Sequence, residues 1–330
     1  MHLFGFYNAD RAASVASEPS VSTHPIENHI GCGQLWYGVA LLSAPDTWVL
    51  HGPSCRCDLS MCFKVILVRE LKRWFSNVKR MAALISASTG FVALVRNWYL
   101  PIFIRFSPFA SMDTEALVTT RNGLKFFLRP KMGDLSILNE ILRHELYSQQ
   151  SPVNATVVDI GAHIGVFAVQ ASASSDTVIC YEPHPRNFEL LEKNIAINAL
   201  NNVKAFRQAV SDARGTKRLS VFEKKSYGHT FYPSNGRDFV NAIDVESVTL
   251  ADVLSSNGLN RIDFLKMHCE GAELDILTHA PQDVLDRVGI ILITYARDGP
   301  EIADLLTARG FLVAWGQRGT LRAVNQRRVT

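Results

Sequence analysis

Val157-Val-Asp-Ile-Gly-Ala-His-Ile-Gly165 is the stretch on which the fold turns. With Thr156 it opens as a short β-branched apolar run, Thr156–Ile160, of the kind that forms a buried strand. Gly161 breaks the run, and a helix is expected over His163–Ser172. Glycine is required where the backbone must approach a ligand or adopt angles closed to other residues. The next β-prone run, Thr177–Tyr181, ends in Cys180-Tyr-Glu-Pro-His-Pro185, which puts Glu182 21 positions after Gly161. That spacing sets a carboxylate against the ribose hydroxyls of a nucleoside bound at the C-terminal edge of a parallel sheet.

Strand and helix alternate outward from this unit. A helix is expected over Pro185–Ala199, strands over Val203–Gln208, Lys217–Phe222 and Ala242–Val248, and a helix over Leu250–Ser256. Then come a strand at Arg261–Met267, a helix at Ala272–Thr278, a strand at Val288–Tyr295 and a helix at Pro300–Arg309. Two β runs, Phe311–Trp315 and Thr320–Val324, close the chain. Such alternation predicts an α/β fold: a doubly wound, mainly parallel, Rossmann-like sheet with helices on both faces. Upstream, Ala116–Leu128 carries two β-prone runs around Asn122-Gly123, a hairpin turn pair. Asp134–Tyr147 has apolar residues at helical spacing with Asp134 as a candidate N-cap. This β-hairpin and helix are expected to cover one end of the sheet.

Two cofactors use such a glycine bend. A dinucleotide needs three glycines so that its pyrophosphate reaches the helix N-terminus. Here Ala162, His163 and Ile164 crowd that approach. Asp159 precedes the loop and suits a cationic ligand, and S-adenosylmethionine has a sulfonium and no phosphate. The residues therefore favour S-adenosylmethionine over a nicotinamide dinucleotide. Each also has a plainer reading: Gly161 as a tight turn, His163 as a helix cap or packing residue, Glu182 as a surface acid.

Bulk properties are those of a globular protein: 330 residues, 47% hydrophobic, 20% charged, net charge +3. So small a charge predicts neither nucleic-acid nor membrane binding by itself. The organisation expected is a leader at 1–62, disordered or non-native, a helical extension at 63–115, and the main domain at 116–330. His51, Cys55, Cys57 and Cys62 have ligand chemistry for zinc but match no common spacing, and free thiols are the preferred reading; no metal site is expected. No secretory signal is visible, and a cytoplasmic location is expected. The window Met81–Val95 is too short to span a bilayer. With Lys72, Arg73, Lys79 and Arg80 before it, peripheral contact with an anionic membrane stays open as an alternative to a helix packed on the domain.

A second polar cluster closes the strand at Arg261–Met267: Lys266, His268 and Glu270, in Lys266-Met-His-Cys-Glu-Gly-Ala-Glu273. With the Asp159–Gly165 loop, Tyr181-Glu-Pro-His-Pro185 and Ala209-Val-Ser-Asp212, this block resembles the FkbM family of methyltransferases. Arg121-Asn-Gly123, Arg129, Asp134, Glu140 and Tyr147 fit the family's leading segment. The resemblance implies a class I methyltransferase domain over 116–330 that moves a methyl group from S-adenosylmethionine to a hydroxyl of a small molecule, sugar or glycan. It implies cofactor contacts at Asp159, Gly161, Ala162, His163, Gly165, Glu182 and Pro183, with Ala209 and Val210 near the adenine. Two positions depart from the pattern. The block usually reads Lys-Ile-Asp-Val-Glu-Gly, where this chain has His268 and Cys269, and the strand at Val288–Tyr295 usually ends in an acid, where this chain has Thr294.

Methyl transfer to oxygen needs alignment of nucleophile and methyl carbon, exclusion of water and removal of the hydroxyl proton. His268 and Glu270 are the candidate catalytic bases, and capping roles are the alternative for both. The lost acids motivate a second hypothesis, a non-catalytic cofactor-binding or scaffold protein derived from a methyltransferase. No basic-aromatic patch adjoins the motifs, so no nucleic-acid partner is expected. The acceptor is expected to be set by the cover and by loops such as Lys224–Arg237, which no motif fixes.

Overall fold

Alternate residues of the central strands enter two different cores, which is why those strands read as unbroken apolar runs. Strand β3 (Ala155–Ile160) sends Val157 to one side with Val178, Phe264 and Leu292. It sends Val158 and Ile160 to the other with Ile179, Leu265 and Met267. The computed structural model describes residues 89–143, 153–222, 225–232, 241–295, 297–316 and 319–328. All of them lie in one unit, Asp58–Thr330. The expectations for residues 1–88, including the leader, the thiol group and the basic residues before Met81, fall outside the described residues.

In chain order the structure has α1 (Thr89–Leu94), α2 (Tyr99–Phe106), β1 (Ala116–Thr119), β2 (Lys125–Leu128) and α3 (Asp134–Arg143). After β3 come α4 (Val166–Ala171), β4 (Ser175–Tyr181), α5 (Pro185–Ile197), β5 (Val203–Phe206) and β6 (Ala209–Val210). Next are β7 (Gly215–Val221), β8 (Asn241–Val248), α6 (Leu250–Ser256), β9 (Ile262–Met267), α7 (Glu273–His279) and α8 (Gln282–Leu285). The chain continues with β10 (Val288–Thr294), α9 (Gly299–Ala308), β11 (Phe311–Trp315) and β12 (Thr320–Asn325). The main sheet has strand order β11-β12-β10-β9-β3-β4-β5. Pairing is parallel from β5 through β10, and β12 runs antiparallel to both β10 and β11. This is the doubly wound, mainly parallel α/β architecture that the alternation predicts.

Three details differ from the sequence reading. The helix expected from His163 begins at Val166, because Gly161, His163 and Gly165 have φ of 76°, 54° and 82° and left-handed residues cannot open an α-helix. The β segments near 217–222 and 242–248 lie outside the main sheet; β7 and β8 pair antiparallel and join β6 in a separate three-stranded sheet. Asp134 does not cap its own helix from outside. It is the first helical residue, fully buried, and its carboxylate accepts from Arg129 N–H at 2.7 Å and Arg129 Nε at 2.9 Å.

The hairpin forms as expected, with Gly123 at φ 92° and Thr120 N–H donating to Leu124 O. It is tied down by α5: Asn194 Oδ1 accepts from Phe127 N–H, and Asn194 Nδ2 donates to both Phe127 O and Ile164 O. One buried amide thus fastens the hairpin to the loop that follows β3.

Candidate active site

Parallel pairing of β3 and β9 sets Asp159 directly against Lys266. Lys266 Nζ donates to Asp159 Oδ1 at 2.8 Å and to Gly161 O at 2.8 Å. Both side chains are buried, and the Phe167 ring lies beneath the ammonium. Burial pushes the Asp159 carboxyl above its usual range, and the lysine opposes that shift. Lys266 therefore holds the bend in place and is committed to that task.

The bend itself sits against the end of β9. Gly161 and Ala162 both donate backbone N–H to Tyr181 O, and His268 N–H donates to Ile160 O. A Cβ on Gly161 would lie 2.1 Å from His268 O, so glycine is required for close approach as well as for its φ of 76°. Glu182 completes the turn from the side of β4. Its Oε2 accepts from His163 N–H at 2.8 Å and its Oε1 from His184 N–H at 2.9 Å. Burial pushes its pKa up, and these two amides oppose the rise. A carboxylate has about four lone-pair sites, and the two amides with the Asn187 side chain take three of them, which leaves one for a ligand.

The segment after β9 carries His268, Cys269 and Glu270. Glu270 has φ 55°, a left-handed angle unusual for its type, and its carbonyl accepts from Thr230 Oγ1 at 2.7 Å. The amides of Cys269 and Gly271 donate to the Glu273 carboxylate at 2.6 and 2.9 Å. Glu273, rather than Glu270, thus serves the turn before α7. His268 Nε2 lies 3.8 Å from Glu270 Oε1. Burial, then the charge of Lys266, push the His268 pKa down to about 3, so its imidazole is neutral near pH 7.

Three further histidines gather between the bend and the cover. His163 Nε2 is 3.5 Å from Asp134 Oδ1, an electrostatic contact without hydrogen-bond geometry. His184 and His229 stack with ring centroids 4.3 Å apart. Burial pushes His163 and His184 down to about 4 and His229 to about 3. Arg129 keeps the cluster electrically tied. It pairs with Asp134 and donates to Asn187 Oδ1 at 2.7 Å. Burial raises the Asp134 pKa, but His163 and Arg129 outweigh it and hold the group below its usual value. At neutral pH the holding falls to Arg129, because His163 is then uncharged. Phe222 N–H donates to His229 Nδ1, which leaves the ring proton on Nε2, buried and without a protein partner among the described residues.

These elements enclose a cleft of about 780 Å³, counting space open to solvent. Gly161, Ala162, His163, Glu182, Pro183, Ala209, Val210, His268 and Glu270 all line it. Asp159 and Gly165 do not. Asp159 braces the bend from behind, and Gly165 packs where a Cβ would meet Leu191. Sequence reasoning missed the far wall: Ser226, Tyr227, His229 and Phe231 from the segment after β7, and Asn187 from α5. No motif marks that segment; only its place inside the stretch Lys224–Arg237 was legible, and residues 223–224 and 233–240 lie outside the described residues. Ile137 and Ile141 show that α3 does cover the cleft. No cluster of three or more His, Cys, Asp or Glu side chains able to hold a metal ion occurs among the described residues.

A family model described as the methyltransferase FkbM domain matches residues 159–313, which begin at the buried aspartate and end in β11. The methyltransferase sdnD of Sordaria araneosa is 29% identical over 236 residues, covering 61% of this chain and 91% of that protein. Methyltransferase 1 of Beauveria bassiana is 24% identical over 185 residues, covering 49% and 74%. The crystal structure of a methyltransferase FkbM from Methylobacillus flagellatus is 16% identical with a TM-score of 0.36, the match covering 52% of this chain and 43% of that one. The motifs, the strand order, the domain model and the two sequence relatives agree: the chain is a methyltransferase whose residues 159–313 are similar to the FkbM methyltransferase domain.

Proposed function

We propose that the protein transfers a methyl group from S-adenosylmethionine to a hydroxyl oxygen of a small molecule, sugar or glycan. The observation that carries the donor is Glu182, a buried carboxylate on the cleft wall whose oxygens are fixed by two backbone amides and Asn187 and keep a lone pair for a ribose hydroxyl. Ile160, Ala162 and Val210 supply apolar surface for an adenine ring. The chain's residues fit this group, since Gly161 presents bare backbone and Lys266, the cation of the cleft wall among the described residues, is paired with Asp159.

Bound there, S-adenosylmethionine supplies a methyl carbon already activated toward displacement. His268 lines the cleft and is the group placed to take the proton of the attacking hydroxyl, although burial makes its imidazole a weak base in the unliganded cleft. Glu270, 3.8 Å away, stabilises the imidazolium that results. The His229 Nε2–H is a donor for an acceptor oxygen. Gly161 and Glu182 would hold S-adenosylmethionine, which would supply the methyl group, and the acceptor's hydroxyl proton would leave through His268.

Titration calorimetry with S-adenosylmethionine tests the donor, and release of S-adenosylhomocysteine with hydroxylated sugars tests the acceptor class. No binding of S-adenosylmethionine would remove the first half of the proposal. Binding without turnover on any hydroxyl acceptor would favour a non-catalytic, cofactor-binding protein instead.

A further inference from the structure

The segment leading into the hairpin leaves an apolar face uncovered. Tyr99 and Phe103, four apart on α2, are 62% and 55% exposed, while Pro101 and Ile102 on the other side are buried. Phe109 in the following loop is 94% exposed and Met112 is 39% exposed. The loop is not loose: Lys131 Nζ donates to Ser107 O at 2.8 Å and also to Ala110 O. Arg105 Nη1 donates to Pro130 O. Phe109 is therefore held outward against the expected tendency of an aromatic ring to bury.

Asp113 and Glu115, which follow Met112, are taken up by Arg186 and Lys193, so the charges left without an ionic partner beside these rings are cations. Arg96, Arg105 and Lys131 make no ion pair with a carboxylate among the described residues. The sequence sharpens the point. Of the chain's 34 basic side chains, eight lie at residues 63–112, against one of its 31 acidic ones. That stretch carries +7 and the rest of the chain −4, which a net charge of +3 conceals. No helix among the described residues is long and apolar enough to cross a membrane.

We infer that this face docks on an anionic lipid bilayer, with Tyr99, Phe103, Phe109 and Met112 entering the headgroup boundary and the surrounding cations facing acidic headgroups. Cations without acidic partners beside exposed aromatic rings are the pairing that an interfacial anchor requires. A protein partner would need neither the one-sided charge nor rings at the loop tip. Single-stranded nucleic acid would use the charge and could stack on the rings, but would leave Met112, which has no π-face, without a role. The face belongs to the cover of the cleft: α2 packs on β1 of the hairpin, and the preceding α1 packs on α3, whose Ile137 and Ile141 line the cleft.

The test is co-sedimentation of the full chain with vesicles of phosphatidylcholine alone and of phosphatidylcholine with 30% phosphatidylserine. Binding is expected to be at least tenfold stronger to the acidic vesicles at 0.1 M salt and to fall at 0.5 M. The double variant Phe103→Ser, Phe109→Ser should lose about tenfold of that binding. Both side chains are exposed, so its thermal midpoint and its uptake of S-adenosylmethionine should match the parent protein. Absence of binding to acidic vesicles overturns the inference, as does equal binding by the double variant. Capture of RNA that displaces the vesicles without depending on the two phenylalanines also overturns it.

Discussion

Replacing Gly161 with alanine should damage the site far more than the same change at Gly165, although both glycines have left-handed φ angles of 76° and 82°. The conformational penalty for a Cβ there is common to both, about 1–2 kcal/mol. The surroundings differ. At Gly165 the new methyl lies 2.4 Å from Leu191 Cδ1, the far end of a flexible side chain, with the next atom at 3.7 Å. At Gly161 it lies 2.1 Å from His268 O and 2.9 Å from His268 C, which are backbone atoms. Relief at Gly161 requires the end of β9 or the bend itself to move by about 1 Å, adding roughly 1–3 kcal/mol of overpacking. Gly161→Ala is thus expected to lose about 2–5 kcal/mol of stability, and Gly165→Ala only about 1–2 kcal/mol. The bend lines the cleft and Gly165 does not, so affinity should split as well. Gly161→Ala should bind S-adenosylmethionine at least tenfold more weakly and turn over about a hundredfold more slowly, the usual penalty of a 1 Å displacement at reacting atoms. Gly165→Ala should bind within about threefold of the parent protein. Thermal melts and titration calorimetry on the two variants read both quantities. If Gly161→Ala binds like the parent and melts no lower than Gly165→Ala, the bend is only a turn and the reasoning fails.

Lys266→Met should cost about 3–5 kcal/mol in chemical denaturation, because it strands the buried Asp159 carboxyl; adding Asp159→Asn should recover part of that loss. If the single and double variants are equally unstable, the pair is not coupled. Glu182→Gln should weaken S-adenosylmethionine binding by about 1–3 kcal/mol, since an amide can accept from only one of the two backbone N–H groups and turns its own donors toward the other; unchanged calorimetric affinity would remove Glu182 from the donor site. Stability should also fall as pH drops from 6.5 toward 4. His163 and His184 are held down to about 4, and His229 and His268 to about 3, against an ordinary 6.5, so the unfolded chain binds protons in this window that the fold refuses. Their stabilisation is complete above 6.5 and is lost as pH falls toward the folded values, at up to about 1.4 kcal/mol per pH unit for each histidine. Thermal midpoints measured every half unit should show that slope, and His184→Phe should flatten it by one histidine's share.

What could be read in advance, and what could not, divides by the range of the interaction involved. The strands β3, β4, β9 and β10 were legible because burial on both faces forces a continuous apolar run, and that is a local signal. The bend was legible because only glycine tolerates both its φ and the carbonyl of His268 at its back. The helix start was misplaced by three residues because nothing in Ala162-His-Ile164 announces that His163 takes a positive φ; the amide hydrogen bond to Glu182 is part of what holds it there. Partners distant in sequence were harder still. Asp159 and Lys266 are 107 positions apart, and only the parallel register of β3 with β9 sets them opposite each other. His184 and His229 come from the turn before α5 and the segment after β7, two segments that Asn187 Nδ2 ties together by donating to Ser226 O. A chemical consequence follows for the position where the family pattern has an acid and this chain has His268. In a wall already holding Glu182 and Glu270, a third carboxylate would raise the pKa of its neighbours or demand a cation, whereas an imidazole pushed down to about 3 adds no charge and still accepts a proton. The substitution therefore lowers the electrostatic cost of burying a polar group at the end of β9, and leaves there an imidazole that is a weak base in the unliganded cleft.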